Sequence, residues 1–171
     1  MMKHPLRSLS WLIAAALVSA CSTQDDPAQA LSTAKVTLAD AILKAKEKAG
    51  GGAPVEAELL MLDGKPVFEI DLRDGDGLKE VTIDALSGTA GPAIDVPVSE
   101  KERVTLEAFD KLDKNQRLGL MSAVEQAERE TANGRCIEVD LELIDGDPTF
   151  EIRLLADGVG KRVLIPVGKG R

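Results

Sequence analysis

The chain has 171 residues, with 29 acidic against 21 basic side chains, a net charge of −8, one histidine and two cysteines. A chain this acidic has no electrostatic reason to seek nucleic acid or an anionic bilayer, and its surplus charge reads first as solubility. The one histidine, His4, falls in the leader, so the remaining chain cannot build a Ser-His-Asp triad, a Cys-His pair or a histidine-ligated zinc site.

At the N-terminus, Lys3, His4 and Arg7 precede an apolar run over 11–18 that is too short to span a bilayer as a helix. The run closes in Val18-Ser19-Ala20-Cys21, which resembles a bacterial lipobox, with small residues ahead of a cysteine that is diacylated. Residues 1–20 are therefore expected to be a lipoprotein signal peptide cleaved after Ala20. Cys21 is expected to carry the lipid, palmitate among its chains, that anchors the protein to a membrane without crossing it. Ser22 follows where Asp would favour retention at the inner membrane, which points to the periplasmic face of the outer membrane. Residues 21–35 read as the lipidated cysteine and a flexible tether. Cleavage leaves 19 basic and 29 acidic side chains, a net charge near −10.

Beyond the tether the chain states one pattern twice. Residues 36–88 and 118–170 align without a gap at an offset of 82, and 17 of the 53 paired positions are identical. Each copy should therefore be one supersecondary unit with the same buried faces. In the first, Thr37 and Asp40 cap a helix whose Leu38, Ala41, Ile42, Ala45 and Ala49 recur at helical spacing, and Gly50-Gly51-Gly52 ends it. Val55, Ala57, Leu59 and Met61 then alternate with Glu56, Glu58, Leu60 and Leu62 as a strand. The hairpin signal Asp63-Gly64 leads to a second strand with Phe68, Ile70 and Leu72 inside, and a third follows through Val81 and Ile83. Between the second and third strands, the run from Asp74 through Gly75, Asp76 and Gly77 superficially resembles a calcium loop. Leu78 and Lys79 fall where a ligand and a glycine are needed, so a hairpin turn is the reading.

A connector over 89–98 carries Pro92 and Pro97 and should be extended; Ser99 then caps an extra helix with Val104, Ala108, Phe109 and Leu112 as its apolar stripe. That stripe covers the seam between the copies, or else Leu60, Leu62, Ile144 and Leu164 on the outer sheet faces meet a partner. The second copy repeats the plan: a helix with Leu120, Ala123, Val124 and Ala127, a stop at Asn133-Gly134, strands through Ile137, Val139, Leu141 and Leu143 and through Phe150, Ile152 and Leu154 around Asp145-Gly146, and a last strand through Val163 and Ile165. Cys136 replaces Pro54 at the strand entrance and reads as a small buried hydrophobe; with Cys21 lipidated it has no intramolecular disulfide partner.

Helix, glycine break, apolar-acidic strand, the Asp63-Gly64-Lys65-Pro66-Val67-Phe68-Glu69-Ile70 turn and strand, and the ending Val81-Thr82-Ile83-Asp84 with Ser87-Gly88 together resemble the PepSY domain. The second copy departs from that pattern: it lacks the glycine triplet and has Pro166 where the first has Asp84, so it resembles a diverged PepSY copy. The expected fold class is α+β: two PepSY-like repeats at 36–90 and 118–171, each a helix packed on a three-stranded antiparallel meander, with an extra helix in the linker 91–117. The resemblance implies non-catalytic binding outside the cytoplasm; with the lipid tether and the missing histidine it leads to a membrane-anchored envelope binding module that engages another exported or envelope protein, regulating or inhibiting an exported peptidase. It supplies no catalytic residue, cofactor or metal ligand. A structural or scaffold lipoprotein and a weak divalent-cation binder are the alternatives. If one copy alone binds a partner, the first is favoured because it keeps the family pattern.

Overall fold

The computed structural model describes residues 26–113, 115 and 117–168; the expected signal peptide and Cys21 lie outside the described residues. The described residues build an α+β fold in which four helices pack around one antiparallel sheet of seven strands.

The first helix, α1 (Pro27–Thr33), forms within the segment expected to be flexible. Asp26 accepts hydrogen bonds from the Ala28 and Gln29 amides and Pro27 opens the first turn, so Asp-Pro is a helix start rather than tether sequence. Ala30 is fully buried, and α1 lies on the sheet. In α2 (Leu38–Ala49) the Thr37 hydroxyl accepts from the Asp40 amide at 3.1 Å, Gly50 ends the helix in the left-handed region, and Ala41, Ile42 and Ala45 are buried.

Strands β1 (Ala53–Leu62), β2 (Lys65–Asp74) and β3 (Gly77–Asp84) form a meander. Its first turn places Asp63 and Gly64 at φ of 50° and 74°, the left-handed backbone of a two-residue hairpin that follows the strand twist. The connector does not stay free. Residues Ala90–Val96 form β4, which pairs with β3, so this half carries four strands rather than three. Gly91 and Pro92 fall where the register shifts opposite Thr82, and such an irregularity on an edge strand tolerates a proline.

Helix α3 (Glu100–Asp110) is closed by a reciprocal capping box between Ser99 and Glu102. Its buried stripe is Thr105, Leu106 and Phe109, whereas Val104 is exposed, so the helix is rotated from the expected face. The second half follows as α4 (Leu120–Glu130), β5 (Gly134–Ile144), β6 (Asp147–Ala156) and β7 (Val159–Pro166), with Asp145 and Gly146 repeating the left-handed turn at φ of 54° and 88°.

The sheet order is β4-β3-β2-β1-β5-β6-β7, so the halves join through β1 and β5. At the centre of that junction Ala57 faces Val139, which is the same position in the two copies. Antiparallel strands that face each other through such a pair are related by a local two-fold axis at that point, a pseudo-two-fold axis of the β1–β5 junction. Even the irregularities repeat: β1 shifts register between Pro54 and Glu56, and β5 shifts between Cys136 and Glu138. Helices α1, α2 and α4 cover one face, where Phe68, Ile70, Leu72, Val81, Ile83, Val139, Phe150, Ile152 and Leu154 form the core. On the opposite face Leu106 of α3 meets Val55 and Leu78 in a smaller cluster. Of the four residues expected on the outer sheet faces, Leu62 and Leu164 are exposed and Leu60 and Ile144 are half-buried.

Candidate functional site

Helices α2 and α4 both lie on the broad sheet and leave a cleft between them. Beside α1 it encloses about 350 Å³, bounded by Leu31 and Val36, by Leu59 and Phe68 on the sheet, and by Met121, Val124 and Cys136 of the second half. A second hollow of about 490 Å³ continues past Ala39, Met121 and Glu125, which border both, to Ile42, Leu43, Pro54, Phe109 and Arg117. These volumes fall in the range of small-ligand pockets; the larger hollow is mainly apolar, whereas Thr37, Glu125, Glu128 and Arg135 put polar groups into the walls of the smaller. Leu43 stands at the rim with 65% of its surface exposed.

Cys136 lies in the wall of the smaller hollow and belongs to the core, 6% exposed. The Glu128 carboxylate accepts its backbone N–H at 2.8 Å, and burial with the nearby Glu128 charge pushes the thiol up to about 12. A thiol held protonated is neither a nucleophile nor a metal ligand. The structure thus places Cys136 as the small buried hydrophobe expected from its strand position.

The run from Asp74 to Gly77 is a tight hairpin between β2 and β3, with Gly75 at φ 58° and the Asp74 carboxylate held by Lys79 at 2.5 Å. It has the shape of a turn and not of a calcium loop. Among the described residues, no group of three or more histidine, cysteine, aspartate or glutamate side chains is arranged to hold a metal ion. No described helix is long and apolar enough to cross a membrane.

The sheet face under α3 carries the strongest electrostatic feature. Glu56 and Glu58 of β1, Glu69 and Asp71 of β2, and Glu138 and Asp140 of β5 share it by register. Burial first, then Asp71, Glu102, Glu58 and Glu138, push Glu56 up to about 7. Asp71 is pushed to about 6 by burial and by Glu80, Glu102 and Glu69. Asp140 is pushed to about 8 by burial, by its hydrogen bond with Glu138 and by Glu56, against the opposing Arg153. These acids were visible only as alternating strand positions. What the sequence held, and offset counting reveals, is that Glu56 and Glu58 recur as Glu138 and Asp140 on either side of the repeat centre.

Residues 35–90 match the model of the PepSY family, the peptidase propeptide and YPEB domain. The matched segment comprises α2 and β1 to β3 with their caps, and the second half lies outside that match. A crystal structure of a candidate lipoprotein from Clostridium difficile 630 is similar at 23% identity and a TM-score of 0.46, over 81% of this chain and 90% of that one. No curated protein matches the chain.

Proposed function

We propose that the protein is a non-catalytic binding module of the cell envelope, tethered through lipid on Cys21, whose first half engages an exported protein and restrains a peptidase. The PepSY match over residues 35–90 carries this reading, because that family is described by its peptidase propeptides. The residue inventory supports it. No histidine stands after His4, and the one remaining thiol is buried and protonated. The second half is read as a diverged copy of the first, from the 17 identities and the shared turns and bulges. The exposed Leu43 beside the cleft and the free edges of β4 and β7 are the surfaces a partner would use.

The test is a pull-down with the purified protein against envelope extracts of its own source, followed by activity assays on each captured peptidase. Capture and slowing of a peptidase, both weakened by Leu43→Glu, is the expected result. If nothing binds and no peptidase slows, the reading fails. A scaffold role is the second reading, favoured by the fusion of both copies into one continuous sheet, and it predicts no saturable partner.

A further inference from the structure

The pseudo-two-fold axis dictates the chemistry of the junction between the halves. β1 and β5 meet through three register pairs, Glu56 with Asp140, Ala57 with Val139 and Glu58 with Glu138. With Ala57 and Val139 on the axis, the residue before the centre of one copy must face the residue after the centre of the other. An acid at both places in both copies then sets carboxylate opposite carboxylate twice. Directly opposed like charges destabilise an antiparallel pair, and within the sheet β1 and β5 are the sole strands joining the halves.

The groups around these four acids do not relieve the pairing evenly. From β2, Asp71 stands opposite Glu56 and Glu69 opposite Glu58, and from β3, Glu80 stands opposite Asp71. From β6, Arg153 binds Glu138 and Glu151 stands opposite Asp140, Glu151 being itself held by Arg162 of β7. Helix α3 straddles the junction: Lys101 holds Glu142 of β5 at 2.7 Å, Asp110 reaches Arg73 of β2 at 3.3 Å, and Glu102 between them adds its charge to Glu56 and Asp71. The charges acting on Glu56 are all negative, so a proton is what relieves it.

We propose that the β1–β5 junction is an acid-fastened seam: Glu56 and Asp140, opposed across it among the acids of β2, β5 and α3, must hold protons for the halves to stay together, and their ionisation loosens the halves and widens the cleft between α2 and α4. Asp140 is hydrogen-bonded to Glu138 along β5, and Glu138 is in turn held by Arg153, while Glu56 faces Asp140 across the junction. Glu56 and Asp140, raised by burial and their neighbours to about 7 and about 8, keep protons in the folded chain that the unfolded chain has lost above about pH 4. Folding therefore takes up protons, and stability grows as pH falls from about 8 towards about 6.

Amide hydrogen exchange of the full chain at pH 6 and pH 9, corrected for intrinsic rates, tests this. Protection of residues 53–62 and 134–144 should drop about tenfold or more at the higher pH, beyond any change in residues 77–84. A carboxyl that gives up its proton when the seam opens makes opening about tenfold easier for each pH unit between its open-state and closed-state pKa values. The Glu56→Gln and Asp140→Asn double variant should keep its seam protection at pH 9. Should that variant not fold, Glu58→Gln is to show a reduced pH dependence instead. Equal seam protection at both pH values, or an unchanged pH dependence in the folded variant, overturns the proposal.

Discussion

Ala57 and Val139 lie opposite each other at the middle of the sheet and are one position stated twice in the sequence. Each half thereby uses the other as the cover for its β1 or β5 edge, a strand edge that would otherwise offer a row of unpaired amides and carbonyls. A chain cut after Val98 would expose β1 and lose Leu106 from the cluster around Val55 and Leu78. The expected outcome is self-association through β1, with the second copy of the fragment standing where β5 stood. Size-exclusion chromatography checks it; a stable monomeric fragment would show that the first half needs no partner strand.

Ile70 and Ile152 occupy equivalent core positions, and both are fully buried. Truncating either to alanine removes the same atoms from the same kind of site, so each should cost about 2–5 kcal/mol. Because one core cluster contains both residues, each variant should lower a single unfolding transition rather than split it in two. Calorimetry or urea unfolding followed by circular dichroism reads this directly. Two separated transitions would mean that the halves unfold independently despite the shared sheet.

The thiol of Cys136 should be silent in the folded protein. Burial and the Glu128 charge push it up to about 12, so at pH 8 the thiolate needed for disulfide exchange is scarce as well as shielded. Ellman's reagent should react with Cys136 only on unfolding, at the rate of the global transition. Fast labelling under native conditions would show that the hollow beside α1 opens locally. The same inertness argues against a disulfide between two folded molecules in an oxidising compartment.

Much of this architecture could be read from residues that act locally. Asp63-Gly64 and Asp145-Gly146 specify left-handed turns, and Phe68, Ile70 and Leu72 alternate as a strand must, so hairpins and inner face followed from the chain itself. What could not be read depends on contacts distant in sequence. The β4 segment holds Gly91 and Pro92, poor strand residues, and becomes a strand because the free edge of β3 accepts it across a register shift. α3 buries Leu106 rather than Val104 because Val55, thrown out of the alternation by the bulge in β1, and Leu78 wait beneath it. The acid junction likewise exists only once the axis is known, since spacing along one strand says nothing about which acids face each other across two.

Arg117 binds the end of the linker to the body of the protein. Its guanidinium lies over the Phe109 ring at 4.2 Å from the centroid and donates to the carbonyls of Asp110 and Leu112 at 3.1 and 3.0 Å. These carbonyls sit at the last residue of α3 and two residues beyond it, where helical partners run out, so the side chain acts as a C-terminal cap as well as a ring cover. Its backbone also bridges to Gly168, which draws the segment after β7 onto the same spot. Arg117→Ala would uncover Phe109 and leave two carbonyls to find water, at a cost of about 2–3 kcal/mol. Arg117→Lys should recover less than half of that, because an ammonium cannot stack on the ring and fork to two acceptors at once. Urea midpoints of the two variants measure both effects, and a midpoint unchanged by Arg117→Ala would mean that α3 and the segment after β7 are held by their apolar contacts alone.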